Sequence, residues 1–263
     1  MKQSGAMDDE CFILVKALPH RSSKYFETVC CAGIGRDGIW RRQYPVPFRI
    51  LDPRQKFSRW SSIKYQYTKS KADLRAESQK VLPESLVVGE ELKKPERAKI
   101  LNPLIRHSFH EANSLGESLT LLRPKELVLT AQHKSEKDLQ EERTKHAELA
   151  SQTSFFDEPA KPLKPCPVEF TVDWKDADGK YRKHICDDWE TSTAYMRFER
   201  MYGHVEAVRV LKQKYEQEYF EAGLALAFST HSRRNVTNGM KNQWLLVGLI
   251  RIDVEAQGDL LLG

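Results

Sequence analysis

The chain has 263 residues, 40% of them hydrophobic and 30% charged, a composition that excludes disordered and fibrous proteins. Its length favours two domains, and its formal net charge is +5. The charge is uneven: residues 1–81 carry 16 lysines and arginines against 8 aspartates and glutamates, whereas residues 82–263 carry 26 against 29. Because a basic surface attracts polyanions, we expect the N-terminal third to bind nucleic acid.

The cysteines and the N-terminus indicate the compartment. Five cysteines are an odd number, and none are spaced as Cys-x-x-Cys, which is typical of free thiols in a reducing environment. No run approaches the roughly 20 apolar residues of a membrane-spanning helix. The first ten residues are polar and do not resemble a secretion signal. We therefore predict a cytoplasmic protein with no membrane partner.

The N-terminal part is predicted to consist mainly of strands. Residues 11–18 are a nearly continuous apolar run, which indicates a strand buried on both faces. Two interpretations fit the next stretch: a short helix that begins after Ser22 or Ser23, or a strand over residues 27–34. Turn residues at 35–38 then lead into a predicted strand at 39–44.

Proline and alternation patterns define the rest of this part. Because Pro45 and Pro47 lack a backbone donor, residues 45–48 are expected to form an edge strand or an extended crossing. Residues 62–68 alternate polar and apolar side chains strictly, which predicts a half-buried strand. Further predicted elements are a Pro-interrupted helix within 90–105 and strands at 119–122 and 127–129.

The C-terminal part mixes strands and helices. Residues 133–152 are strongly charged, which predicts a solvated helix or a disordered insertion, and four prolines follow between residues 159 and 167. The elements predicted after them are a hairpin of strands at 168–174 and 181–185, helices at 188–202 and 204–221, and strands at 224–228 and 244–252.

This order of elements predicts an α+β protein with a basic β-rich N-terminal domain and an α+β C-terminal domain. The predicted divisions are a flexible tail at 1–9, the basic β-rich domain at 10–132, a charged and Pro-rich connector at 133–167, and the α+β domain at 168–263.

Aromatic and cationic residues alternate most densely between residues 33 and 67. Exposed rings stack on bases and cations neutralise phosphates, so together they hold single-stranded nucleic acid. Alternation would place Trp40, Arg42 and Tyr44 on one exposed face; in the alternative interpretation the rings are core and the cations coat the surface. The predicted nucleic-acid-binding residues are Trp40, Arg41, Arg42, Tyr44, Arg49, Arg59 and Trp60, joined by Arg233 and Arg234 from a loop that either grips phosphate or is a solvated turn.

A second cluster lies at residues 184–190. His184 and Cys186 are weak candidate metal ligands, with Cys166 or His204 as further ligands. Alternatively, a hydrolase could use a divalent cation, with the catalytic candidates His184, Asp187, Asp188 and Glu190. In the simplest interpretation, Asp188 caps the following helix and no metal is bound.

The common nucleotide-binding and hydrolase motifs are absent, so we predict no cofactor. Residues 27–34, the Tyr44-Pro45-x-Pro47-Phe48-Arg49 segment and Asp188-Trp189-Glu190 resemble a family of uncharacterised bacterial proteins. That resemblance implies a bacterial or mobile-element setting and no known activity.

The function predicted from the sequence is non-catalytic nucleic-acid binding, of DNA or RNA, within a bacterial defence or mobile-element complex with protein partners. The alternatives are a metal-dependent nuclease or related hydrolase, and a protein–protein adaptor that uses residues 133–152.

Overall fold

The computed structural model describes residues 5–22, 26–152, 163–230 and 244–254. Its first part is a β-barrel. The strands of this part are β1 (Met7–Lys16), β2 (His20–Ser22), β3 (Phe26–Ile34), β4 (Trp40–Val46), β5 (Ser61–Lys69) and β6 (Ser78–Glu91).

The barrel closes because β1 pairs with both β3 and β5. The strand order around it is β1, β5, β6, β4, β3 and back to β1, and the β4–β6 pair is the parallel one in this ring. At the β1–β3 seam the backbones approach so closely that a Cβ on Gly33 would lie 2.5 Å from the Phe12 carbonyl oxygen. The interior is filled by buried side chains that include Ile13, Val29, Ile63 and Val81.

Two local predictions are decided by this closure. Residues 26–34 form a strand rather than a helix, with Val29 and Cys31 inside the barrel and Ala32 and Ile34 packed outside it. Pro45 lies within β4 but beyond its last pair with β6, so at this residue β4 has a paired neighbour only in β3, which agrees with the predicted edge position. The β4–β6 pairing runs from Arg42 to Tyr44, so it needs no donor from Pro45.

The C-terminal part has two sheets and a set of helices, and the overall α+β class is confirmed. One sheet has the order β13, β12, β8, β7, and the other has the order β11, β10, β9. Its strands are β7 (Ile105–Arg106), β8 (Leu119–Leu122), β9 (Glu126–His133), β10 (Val168–Lys175), β11 (Tyr181–Ile185), β12 (Leu224–Thr230) and β13 (Trp244–Arg251). The α-helices are α1 (Lys94–Leu101), α2 (Phe109–Ser114), α3 (Glu136–Gln152), α4 (Trp189–Tyr202), α5 (His204–Lys212) and α6 (Phe220–Gly223), with a π-helix at Gln213–Tyr219.

The predicted connector at 133–167 joins two strands that are neighbours in one sheet. All eight residues of β9 pair with β10, from Glu126↔Lys175 to His133↔Val168. Between these strands α3 reaches back to the barrel, where His146 lies 3.6 Å from the buried Glu27 carboxylate. The charged helix therefore packs partly on β3. No helix in the described ranges is long and apolar enough to span a lipid bilayer.

The barrel and the C-terminal part share a hydrophobic core. Phe12, Leu14 and Ile34 on the outside of the barrel pack in one cluster with Leu121 and Ile250 of the four-stranded sheet. Burying this apolar surface stabilises the contact between the two parts. As a consequence, the four-stranded sheet covers the outer side of β1 around Phe12 and Leu14 and the outer side of β3 around Ala32 and Ile34.

Candidate nucleic-acid interface

Arg42 is buried at the contact between the barrel and the C-terminal part. Its side chain is 3% exposed and forms an ion pair with Glu77 at 2.9 Å. Its Nη1 donates to the Ser229 hydroxyl at 2.7 Å and its Nη2 donates to the Ser118 carbonyl oxygen at 3.0 Å. The guanidinium fork therefore binds β12 and the start of β8 to the barrel, and in this arrangement it is not available to a phosphate.

Arg59 has a similar role at a second contact between the barrel and the C-terminal part. Its Nη2 lies 3.2 and 3.1 Å from the two carboxylate oxygens of Asp188, whose side chain is completely buried. Its Nη1 donates to the Leu249 carbonyl oxygen at 2.7 Å. Burial alone would lower the pKa of Arg59, but the Asp188 carboxylate raises it above its ordinary value. Arg59 is therefore a charged side chain that joins the barrel to the C-terminal part through Asp188 and Leu249.

The remaining predicted arginines are also paired within the barrel. Arg41 bridges Asp9 and Asp37, each at 2.7 Å, and Arg49 lies 2.6 Å from the buried Glu27. Arginine suits such sites because its planar fork binds a carboxylate in a fixed geometry. Arg233 and Arg234 lie outside the described residues.

The predicted exposed face of Trp40, Arg42 and Tyr44 does not form. Trp40 packs against the shared core and Arg42 is buried, whereas Tyr44 is 47% exposed. Trp60 also packs against the shared core, and the Arg97 guanidinium covers its ring at 4.3 Å from the centroid. Both tryptophans are half-buried, and the tertiary contacts turn their rings away from the predicted exposed face and toward the C-terminal part.

Tyr44 is the predicted stacking residue that remains exposed. It lies on the outer side of β4, and the Thr28 hydroxyl donates to its hydroxyl oxygen at 3.3 Å. In the parallel β4–β6 pair its direct neighbour is Lys80, which in turn lies opposite Thr68 of β5. The ring is thus fixed at its hydroxyl end and accessible on the barrel surface, beside a cation.

Three lysines around the connection from β5 to β6 complete this region. Lys69 ends β5, Lys71 lies in the connection and Lys80 lies in β6, and all three side chains are exposed. Within the described part of the chain none of them forms an ion pair. We call Tyr44 and its neighbour Lys80, together with Lys69 and Lys71 at the adjoining end of β5, the Tyr44 surface; Lys69 lies opposite Gln79 and so points to the other side of the sheet from Lys80. It combines an accessible ring with cations that are free to bind phosphate.

The sequence interpretation missed these three lysines. Its signal was the local density of arginines and rings, but the arginines are neutralised by carboxylates that are distant in sequence, such as Glu77 for Arg42. In a sequence, a lysine that has no acidic residue nearby at helical or strand spacing is only a weak indication of an unpaired cation. Whether a cation is paired is therefore decided by the tertiary fold.

In the second predicted cluster, at residues 184–190, the side chains make packing, hydrogen-bond and ion-pair contacts with other described residues. His184 is buried, and its Nδ1 accepts a hydrogen bond from the Trp174 indole at 3.0 Å. Burial, assisted by the nearby Arg182, lowers the pKa of His184 to about 4, so the ring is neutral at physiological pH. Burial likewise raises the pKa of the Cys186 thiol, which disfavours the thiolate that a metal requires.

Asp188 caps α4, as the simplest interpretation of the cluster predicted. It accepts from the Glu190 amide, the Thr191 hydroxyl and the Leu249 amide at 3.1, 3.1 and 3.3 Å. Together with Arg59, these donors occupy both of its oxygens. No set of three or more histidine, cysteine or acidic side chains in the described parts of the chain is arranged to hold a metal ion.

The neighbouring carboxylates have different environments. Burial and the adjacent Asp188 raise the pKa of Asp187 to about 7. Glu190 pairs with Lys16 at 2.9 Å, and the Lys16 ammonium lies 4.6 Å from the centre of the Phe48 ring. These contacts join β1 to the start of α4, so the acidic cluster fastens the C-terminal part to the barrel.

Comparison with known families divides the chain close to the boundary between these parts. A family model described as a domain of unknown function (DUF8758) matches residues 7–103, which contain the barrel and α1. A second one (DUF8757) matches residues 98–259, more than half of the chain. No curated protein matches it. The expected relationship to an uncharacterised family is confirmed.

Proposed function

The chain belongs to the DUF8757 family, and from the geometry of the Tyr44 surface we propose that it binds single-stranded nucleic acid. The observation that carries this proposal is an exposed aromatic ring beside the unpaired Lys80 on a β-barrel, with two further exposed lysines, Lys69 and Lys71, at the adjoining end of β5. In this proposal the binding is non-catalytic, with the Tyr44 ring and the lysines as the contacting groups.

The physical basis is stacking combined with counterion release. A base stacked on an aromatic side chain contributes about 1–3 kcal/mol, and any base can supply the ring face. Each lysine that neutralises a phosphate releases a condensed cation, with a salt slope of about −0.7 per contact on a single strand. Tyr44 supplies the ring, and Lys69, Lys71 and Lys80 supply up to three contacts.

The barrel architecture supports the proposal by analogy. It shares with the OB-fold five strands in a closed Greek-key order, and OB-folds bind oligonucleotides on the face of their second and third strands. In this protein those strands are β3 and β4. The half of their outer face that carries Ile34 and Arg42 is covered by the C-terminal part, and the half that carries Tyr44 is open.

We expect single strands to bind in preference to duplexes. A tyrosine on the outside of a barrel can stack only on a base that is not already stacked between neighbours, and a duplex offers such a base only at its ends. The lysines contact the backbone of either polymer, so duplex binding should be weaker and should not depend on the Tyr44 ring.

The test is fluorescence anisotropy of labelled single- and double-stranded DNA and RNA over a salt series. The variant Lys69→Ala/Lys71→Ala/Lys80→Ala is compared with Lys93→Ala/Lys94→Ala/Lys99→Ala, which removes the same charge from exposed lysines at α1. We expect the first variant to reduce the salt slope for single strands by about 2 and the control to leave it nearly unchanged. Equal effects of the two variants would refute a localised surface.

A second comparison isolates the ring. Tyr44→Phe keeps the stacking face, whereas Tyr44→Ala removes it, so we expect Tyr44→Ala to weaken single-strand binding by about 5- to 100-fold and Tyr44→Phe to have little effect. Unchanged affinity in Tyr44→Ala would contradict the stacking role. Membership of a larger bacterial complex stays a prediction, which co-purification of a stoichiometric partner would test.

A further inference from the structure

A cleft of about 410 Å³ lies where the end of the barrel meets the C-terminal part. The barrel contributes Trp40, Arg41 and Tyr67 to its walls, and the C-terminal part contributes Arg106 and Glu117. Ligand sites are commonly clefts of about 300–1,000 Å³ between domains. Arg42, buried at 3% exposure, lies on β4 between Trp40 in the cleft and Tyr44 on the open surface, so the Trp40 and Tyr44 rings belong to separate sites.

The apolar part of the cleft is suited to a flat ring. Trp40 and Tyr67 line it together with Ile39 and Leu104. Aromatic side chains of this kind bind heterocyclic bases by stacking. Trp40 is additionally held by its packing against the shared core, so its ring is pre-positioned.

The charged groups of the lining are all paired, so the cleft offers no free cation to a phosphate. Asp9, Glu77 and Glu117 are balanced by Arg41, by Arg106 and by Arg42, which pairs with Glu77 from behind the lining. Arg41 is paired with Asp9 at 2.7 Å and Arg106 with Glu117 at 2.5 Å. With both guanidinium groups neutralised, the cleft favours a neutral ligand that carries N–H donors.

Two lining residues have unused hydrogen-bonding capacity. Arg106 donates through both Nε and Nη2 to Oε1 of Glu117, and Glu117 Oε2 has no partner. The indole Nε1 of Trp40 also has no acceptor. Both atoms are buried, so a ligand in the cleft reaches Glu117 by a rotation of its carboxylate about the broad terminal torsion, which the proposal below requires. A nucleobase edge offers both a donor and an acceptor, and an exocyclic amino group donates well to a carboxylate.

We propose that this cleft binds one nucleobase that carries an exocyclic amino group, with its ring against Trp40 and Tyr67 and its amino group on Glu117. The base comes either from a free nucleoside or nucleotide or from the end of a strand. The inference goes beyond the proposed function, because free nucleosides test the cleft without the Tyr44 surface.

The test is isothermal titration of the full chain with guanosine, adenosine, cytidine and uridine. We expect the three amino-bearing nucleosides to bind at least 10-fold more tightly than uridine. Tyr67→Ala should weaken their binding at least 10-fold, whereas Tyr67→Phe should preserve it. Tyr181→Ala, which removes a ring that is 76% exposed on the three-stranded sheet, is the control and should change nothing.

The carboxylate is tested separately with Glu117→Gln, which keeps the shape and an acceptor for Arg106. It should reduce the preference for amino-bearing nucleosides over uridine at least fivefold. Competition then identifies the source of the base: displacement of nucleoside by an oligonucleotide, retained in Tyr44→Ala, indicates a strand end, and no displacement indicates a free nucleoside or nucleotide.

No binding of any nucleoside at millimolar concentration, or binding that Tyr67→Ala leaves unchanged, would overturn the inference. Salt-dependent oligonucleotide binding would in that case still be tested independently, with the variants of Tyr44 and the three lysines. Failure at the cleft is therefore distinguishable from failure of the proposed function.

Discussion

The arginines and the lysines of the barrel differ in burial and in ion pairing. Arg42 and Arg59 form ion pairs that join the barrel to the C-terminal part or to carboxylates on its border, and their side chains are 3% and 13% exposed. Lys69, Lys71 and Lys80 are exposed and have no ion-pair partner among the described residues. One basic domain thus uses its cations for two purposes, internal cohesion and a charged surface.

The chemistry of the two side chains explains the division. The guanidinium group is planar, weakly hydrated and always charged, so it tolerates burial when several acceptors surround it. The ammonium group is strongly hydrated and loses more when it leaves water. Lys16 is a buried lysine among the described residues of the barrel, and it is stabilised by Glu190 at 2.9 Å, the Phe57 carbonyl oxygen at 3.2 Å and the Phe48 ring.

Among the substitutions that test this comparison, Asp188→Ala should have the largest effect on the free energy of unfolding. The substitution leaves Arg59 buried without its carboxylate, which costs about 3–5 kcal/mol, and it removes the cap of α4, which adds about 1 kcal/mol. Urea denaturation measures the loss. Mg²⁺, Mn²⁺ or Zn²⁺ should leave the melting temperature of the wild type unchanged; a metal-dependent rise that Asp188→Ala abolishes would instead favour the metal-dependent hydrolase.

Arg42→Ala should have the next largest effect. Glu77 would remain in a nearly closed site, although the Ser118 hydroxyl still donates to it, so we expect the free energy of unfolding to fall by about 3 kcal/mol. The control is Arg54→Ala, which breaks an exposed pair with Asp52 and should not change stability measurably. A similar, small effect of both substitutions would show that burial does not distinguish the two classes of cation.

Asp187→Asn should change how the stability of the protein depends on pH. In the folded protein Asp187 keeps its proton up to about pH 7, whereas the unfolded chain releases it near 3.8, so rising pH between these values destabilises the wild type. The variant lacks this penalty, and above pH 7 it should be more stable by on the order of 1–3 kcal/mol. The two proteins should converge near pH 4. A difference that stays constant from pH 4 to pH 8 would contradict the raised pKa.

Lys80→Ala should have the smallest effect on stability, within about 0.5 kcal/mol, because the side chain is exposed and unpaired. Its effect on single-strand binding should be larger, with a loss of about 0.7 in the salt slope. The comparison would fail if Lys80→Ala destabilised the fold as much as Arg42→Ala does, as measured by parallel urea titrations.

The C-terminal elements could be predicted because their signals are local. The hairpin of β10 and β11, the helix after Asp188 and the two buried strands β12 and β13 all match the predicted positions within a few residues. Each depends on alternation, a helix cap or a continuous apolar run, and these patterns reflect short-range physics.

The barrel was less accessible to prediction. The stretch that became β3 fitted either a helix or a strand, and Pro45 marked the end of the β4–β6 pairing without showing that β4 is a barrel strand. The strand β6 (Ser78–Glu91) was not predicted, although it joins β5 to β4 in the barrel. Pairing between strands that are distant in sequence leaves no local pattern, so closure could not be read from any one segment.

The sequence by itself determined the α+β class, most of the secondary structure, the basic character of the N-terminal third and the Asp188 cap, because composition, periodicity and capping act within a few residues. Only the tertiary structure decided which cations are free. The partners of Arg42 lie 35 and 187 positions away in Glu77 and Ser229, and no local pattern encodes contacts of that range. The same folding that buries Arg42 and turns Trp40 and Trp60 inward leaves Tyr44 and three lysines exposed on the barrel surface.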